Sequence, residues 1–181
     1  YEIVVSDWSS DVCSSDLYFS LFGLPRAFTI PAADLEAAWK RVATAVHPDR
    51  FATASAAEKR VAMQWSAHAN EAYRVLKEPL SRARYLCELA GVDLQVETNT
   101  AMSPAFLMQQ MEWHEQLDEL QSHPDPSAQR LFAAELKDAL AKLVIQVGQL
   151  IDTESYTEAA VRIREWMFLD KLIAQLRAIE S

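Results

Sequence analysis

His47-Pro48-Asp49 sets an imidazole and a carboxylate two positions apart around a proline, with a guanidinium following at Arg50. Catalysis or metal binding at such a triplet would need further partners, and the rest of the chain does not offer them. The four histidines are His47, His68, His114 and His123. None has a glutamate three residues before it, so the Glu-x-x-His pairs of di-iron bundles are missing. Neither H-E-x-x-H nor CxxC occurs, and there is no glycine-rich phosphate loop. His114 and Asp118 share a helix face, but two ligands do not make a site, and a surface pair is the simpler reading. Cys87 stands in the apolar run Tyr85-Leu86-Cys87 and reads as a packing thiol. No catalytic residue, metal or cofactor is therefore expected. The chemistry left to His47 and Asp49 is recognition.

The elements around the triplet show how it would be presented. Upstream, Leu35, Trp39, Val42 and Val46 repeat at helical spacing and form one apolar stripe. Downstream, Ala62, Ser66, Ala69, Tyr73 and Leu76 form a second stripe made mostly of small residues. Pro48 cannot continue the first helix, and the stretch to Ala54 is polar. The two helices thus form a hairpin with His47 and Asp49 at its tip. Lys40, Arg41 and Arg50 lie beside or opposite the first stripe, as a solvated face or as a basic surface for a partner. A second His-Pro-Asp, at 123–125, lacks such a hairpin and reads as a tight turn with Asp125 as an N-cap.

Punctuation divides the remainder. Pro31 suits the first turn of a helix reaching about Val46, and Ser55 with Glu58 is a capping box that opens a helix to about Lys77. Pro79 starts a short helix ending before Gly91. Residues 91–102 are polar and aperiodic and read as a linker. Ser103-Pro104 and Asp125-Pro126 are N-cap-plus-proline starts, and Ser155 with Glu158 is another capping box. Three long helices joined by short turns make an antiparallel bundle over 103–181. On its first helix Phe106, Trp113, Leu117 and Leu120 mark the inward stripe, with Gln110 as a polar break. Leu107, Met108 and Met111 lie off that stripe, followed by Glu112, Glu115 and Glu119. Such a face is either an interface with apolar anchors and charged steering or a second packing stripe. Phe168 stands about 200° from Trp166 on an ideal helix, away from the deepest core.

Read together, several segments resemble one family. These are Tyr18-Phe19 with LFGLP at 21–25, HPDRF at 47–51, NEAYRVLKEPLSRARYLCELAG at 70–91, AFLMQQMEWHEQLDEL at 105–120 and MFLDKL at 167–172. In this order they resemble HscB, the J-domain co-chaperone family of iron–sulfur cluster biogenesis. Val46 departs from the tyrosine usual before the triplet, and Arg50 replaces the common lysine while keeping its charge. The resemblance implies an all-α fold, with a J-domain over 18–90 and a client-binding three-helix bundle over 103–181. It implies that His47, Pro48, Asp49, Arg50, Lys40 and Arg41 face a DnaK/HscA-type chaperone and stimulate its ATPase. It implies that Leu107, Met108, Met111, Glu112, Glu115, Glu119 and Phe168 hold an IscU-type iron–sulfur scaffold protein. An adaptor for a different client is the alternative.

Composition agrees with a helical binding protein. Half the chain is apolar, only three glycines occur, and the formal net charge is −9. An acidic balance argues against nucleic acid, which requires clustered Lys and Arg. No run of about 18 apolar residues is present to span a membrane. Asp7 to Leu17 reads DWSSDVCSSDL, which resembles the translation of a sequencing adapter; it is Ser/Asp-rich and has no apolar period. Residues 1–17 are therefore set apart from the fold, with Leu17 ambiguous and a genuine N-terminal extension as the alternative. Without Glu2, Asp7, Asp11 and Asp16 the net charge is −5, and Cys87 is the one remaining cysteine, which suits a reducing compartment. Bacterial cytoplasm is the expected location, ahead of a mitochondrial matrix. Deletion of Tyr1–Asp16 is expected to leave unfolding stability within about 0.5 kcal/mol in a denaturant titration; loss of a cooperative transition would show that native structure had been removed.

Overall fold

The computed structural model describes residues 17–94 and 102–179, apart from the side chains of Leu17 and Pro48. Residues 1–16, and 95–101 of the expected linker, lie outside the described residues. Among the described residues every regular element is helical: α1 (Leu17–Phe22), α2 (Ala32–Ala45), α3 (Ala56–Lys77), α4 (Pro79–Leu89), α5 (Pro104–Ser122), α6 (Pro126–Asp152) and α7 (Tyr156–Ile179), with a 3-10 turn at Pro48–Phe51. The chain divides into two compact units between Leu89 and Ala90.

In the first unit α2 and α3 form the hairpin, and α1 and α4 pack against α3. Leu35, Ala38 and Val42 on α2 are buried, as are Ala62, Ala69, Ala72 and Leu76 on α3. Alanine loses no side-chain entropy on burial and lets the helix backbones come close. Trp39 lies at the edge of this seam, stacked on Tyr73 with ring centroids 4.8 Å apart. Its indole N–H donates to Asn70 Oδ1 at 3.0 Å. Phe19 and Phe22 of α1 fill the far end of the core. Gly23, at φ +64°, then ends that helix. Its N–H donates to Ser20 O at 3.0 Å and that of Leu24 to Phe19 O at 2.9 Å, the paired bonds of a Schellman motif.

Arg82 ties α4 to the end of α3. Its guanidinium is buried, donates to Leu76 O at 2.6 Å and lies 5.5 Å from the Phe28 ring. Leu76 O is one of the carbonyls that a helix end leaves without an intrahelical donor, so a cation there meets the negative end of the α3 dipole. Cys87, further along α4, is fully buried, and burial pushes its thiol pKa up to about 11. That thiol is packing material, as its apolar neighbours suggest.

In the second unit α6 and α7 form a long hairpin and α5 packs against both. The core joins Trp113, Leu117 and Leu120 of α5, Phe132, Leu136, Leu143, Val147 and Ile151 of α6, and Ile163, Trp166, Leu169, Leu172 and Leu176 of α7. Both N-cap-plus-proline starts form: Ser103 accepts from the Phe106 N–H and Asp125 from the Ser127 N–H. The α6–α7 turn holds a non-glycine residue in left-handed backbone, Glu154 at φ +56°. Its N–H donates to Ile151 O at 3.0 Å and that of Ser155 to Leu150 O at 2.8 Å, again a Schellman pair. A Cβ is strained in that conformation, which glycine adopts freely. Glu154→Gly is therefore expected to stabilise the protein, by about 0.5–1 kcal/mol, read as a higher denaturation midpoint; a lower midpoint would show that Glu154 makes a compensating contact.

Candidate functional site

The His-Pro-Asp triplet sits where α2 stops. Val46 is buried, and its N–H still donates to Val42 O at 3.0 Å. His47 then turns extended, at φ −62° and ψ 132°, because the residue before a proline is sterically kept out of helical backbone. The 3-10 turn closes through Arg50 N–H to His47 O at 3.0 Å and Ala52 N–H to Asp49 O at 3.3 Å. His47 caps this turn, its Nδ1 accepting from the Asp49 N–H at 3.3 Å. With Nδ1 as acceptor, the neutral ring carries its proton on Nε2. His47 Nδ1 also lies 3.5 Å from Asp49 Oδ2, and the two side chains are 58% and 92% exposed. Phe51, half-buried, sits in the turn that packs against α3.

Beyond the turn the chain is tied down again. Ser55 Oγ accepts from the Glu58 N–H at 3.3 Å, while Glu58 Oε2 accepts from the Ser55 N–H at 2.8 Å. The hydroxyl and backbone donors of Ser55 hold the Glu58 carboxyl below its ordinary pKa. The predicted capping box is present, so the tip is clamped on both sides.

The three cations expected around the tip are differently placed. Lys40 pairs with Glu36 at 2.6 Å on the same helix. That pair raises the Lys40 pKa and lowers that of Glu36, first through the hydrogen bond and then through charge attraction. Arg41 reaches back to Phe22 O at 3.5 Å, the end of α1. Arg50 is exposed on the turn itself. Helical rise puts Lys40 about 10 Å from His47 along α2, so Arg50 is the cation next to Asp49.

On α5 the two faces separate as the spacing suggests. Trp113, Leu117 and Leu120 are buried, and Leu107, Met108 and Met111 are 47%, 65% and 66% exposed. They are not a second packing stripe within this unit. Glu112, Glu115 and Glu119 are exposed on the turns below. Glu112 accepts from Gln109 Nε2 at 3.0 Å, and Glu119 pairs with His123 at 3.2 Å. The second His-Pro-Asp is thereby accounted for: His123 ends α5 and Asp125 caps α6.

Phe168 of α7 is half-buried against α5. Its ring is 5.9 Å from Phe106, 6.4 Å from Trp113 and 5.4 Å from His114, centroid to centroid. It therefore adjoins the turns of α5 that carry Leu107 and Met111, while also holding α5 to α7. Met167, next in sequence and 38% exposed, is a further exposed apolar residue of α7 outside the set that spacing marks, legible only as a methionine off the buried α7 stripe. Among the described residues no three His, Cys, Asp or Glu side chains are grouped to hold a metal ion. No described helix is long and apolar enough to cross a membrane.

A helical hairpin with an exposed His-Pro-Asp turn, followed by a helical bundle, is the plan of a J-domain co-chaperone. Residues 102–177 match the family model described as the HSCB C-terminal oligomerisation domain. The chain is 56% identical over 168 residues to the co-chaperone protein HscB homolog of Bordetella avium, covering 92% of this chain and 99% of that protein. It is also similar to the solved structure of chaperone HscB from Vibrio cholerae, with TM-score 0.77, 34% identity, and 90% and 96% of the two chains covered. The crystal structure of human co-chaperone protein HscB superimposes with TM-score 0.82 at 26% identity, covering 90% of this chain and 81% of that one. The chain belongs to the HscB family of co-chaperones.

The packing of α5 separates two kinds of residue. Met108→Ala with Met111→Ala is expected to leave unfolding stability within about 0.5 kcal/mol, as for surface changes. Phe168→Ala is expected to cost about 1–3 kcal/mol, less than the ~3–5 of a fully buried phenylalanine. Chemical unfolding of both variants checks the contrast, and a costly methionine pair would mean that this face is core.

Proposed function

We propose that this co-chaperone stimulates ATP hydrolysis by a DnaK/HscA-type chaperone and brings to it an IscU-type iron–sulfur scaffold protein as client. The observation that carries the first half is the Asp49 carboxylate, 92% exposed on a turn capped by His47 and clamped by Ser55 and Glu58. A rigidly presented anion suits a cationic group on the chaperone, and little ordering remains to be done when they meet. Pro48 keeps the chain from continuing α2, and Arg50 adds the adjacent positive charge. Lys40 and Arg41 extend the basic side of α2 towards an acidic nucleotide-binding domain, which favours encounter more than affinity. Hydrolysis itself belongs to the chaperone.

The second half rests on the outer face of α5. Leu107, Met108 and Met111 offer flexible apolar anchors, Phe168 a partly exposed ring, and Glu112, Glu115 and Glu119 a charged flank. Such a combination suits a client with an apolar contact ringed by basic groups. Joining client and chaperone on one chain raises their effective concentration for each other, so release of the iron–sulfur cluster would follow the chaperone's ATP cycle. The Bordetella relatives make bacterial cytoplasm the compartment we propose.

Asp49→Asn keeps the size of the side chain and removes its charge. Losing one member of a buried interfacial charge pair costs about 2–5 kcal/mol, so stimulation of chaperone ATPase should nearly vanish at subsaturating co-chaperone, with folding and scaffold binding intact. Asp125→Asn should keep full stimulation. Normal stimulation by Asp49→Asn would overturn the reading of the tip. Scaffold titration reads the other end: the Met108/Met111 double alanine variant should bind scaffold more weakly while stimulating normally.

A further inference from the structure

We infer that the groove between α5, α6 and α7 is a second binding site, for one arginine side chain presented by a protein partner. It is a cavity of about 340 Å³ lined by Phe106, Gln109 and Trp113 of α5, Glu135, Asp138, Ala139, Lys142 and Leu143 of α6, and Glu165 and Leu169 of α7. That size is at the small end for ligand pockets, ~300–1,000 Å³, and suits a side chain. On an ideal helix Phe106, Gln109 and Trp113 lie on the opposite side of α5 from Met108 and Glu115. The groove thus opens away from Met108 and Glu115, while Phe168, against Phe106 and Trp113, and Glu112, bonded to Gln109, link its walls to the client face.

Glu165 is the informative residue. It is 1% exposed. Its Oε2 accepts from Arg162 at 2.6 Å, while Oε1 is buried with no hydrogen-bond partner. An unpartnered buried carboxylate oxygen is uncommon and costly, and here the residue that carries it lines a cavity. The neighbouring groups are already engaged. Glu135 accepts from the Trp113 indole at 2.8 Å, and Lys142 pairs with Asp138 at 2.6 Å. Glu135, Asp138 and Glu165 against Lys142 and Arg162 leave one negative charge, which one cation would cancel. The aromatic walls select among cations. A planar guanidinium stacks on Trp and Phe faces, and it sheds water more readily than an ammonium.

The experiment uses the full chain with ¹⁵N-labelled tryptophan, titrated with blocked Gly-Arg-Gly; blocked Gly-citrulline-Gly, nearly the same shape without charge, is the control. The Trp113 indole N–H, assigned through Trp113→Phe, should shift saturably with the arginine peptide and stay put with the citrulline one. Glu165→Gln should weaken binding at least about tenfold, the loss of one charge-assisted hydrogen bond. Ala139→Leu fills the groove without altering any charge and should abolish the shift, and it decides the matter even if Glu165→Gln fails to fold. The Met108/Met111 double variant should bind the peptide as the parent does. An absent or unsaturable shift overturns the site. So does an equal response to citrulline, or full affinity in Ala139→Leu, which would mean that a diffuse acidic surface gathers the arginine.

Discussion

Close approach of α2 and α3 is the constraint on which the His-Pro-Asp turn depends. Ala38 on α2 and Ala62 and Ala69 on the small-residue stripe of α3 are buried, and larger side chains there would hold the helices apart. Trp39 stacked on Tyr73 and bonded to Asn70 closes its edge, and Arg82 secures the far end of α3 through Leu76 O. With both helices held, the chain from Val46 to Ser55 has little choice of path. A 3-10 turn capped at both sides spans it. The groups displayed there stay in water, so folding pays no desolvation cost for them.

The second unit solves a different problem, because α5 must be held by one face and leave the other bare. Trp113 supplies much of the attachment, with its ring in the core and its N–H on Glu135. Leu117 and Leu120 continue the same side, and Phe168 wedges against it from α7. Opposite them, Leu107, Met108 and Met111 stay exposed. An unbranched thioether adapts to varied surfaces at little strain, a property that suits the client contact proposed for this face.

Charge is handled locally almost everywhere. Glu36 with Lys40, Glu71 with Arg74 and Asp138 with Lys142 are pairs three or four residues apart on one helix, exposed enough to contribute little to stability. The buried charges differ. Arg82 lies on a helix-end carbonyl, where burial lowers its pKa. Glu165 is compensated by Arg162 on one oxygen alone. Both positions join elements together, which is why neither resembles a surface charge.

Much of this is written in the sequence. Apolar spacing marks the helices. Ser55 with Glu58, Ser103-Pro104 and Asp125-Pro126 mark their starts, and Pro48 marks the tip. The same spacing separates Trp113 and Leu117 from Met108 and Met111, because helical period alone decides which side chains share a face. Period does not say which neighbour a face will meet. Hence Arg41 reaching Phe22 O, Phe168 docking on Phe106, Trp113 and His114, and the burial of Glu165 beside the α5 groove emerged with the tertiary structure. So did the left-handed Glu154, a strain that the long α6–α7 hairpin imposes on a residue with no turn preference of its own. Capping and periodicity act over three or four residues and are written locally. The partners of Arg41 and Phe168 lie tens of residues away and are chosen by how the helices pack.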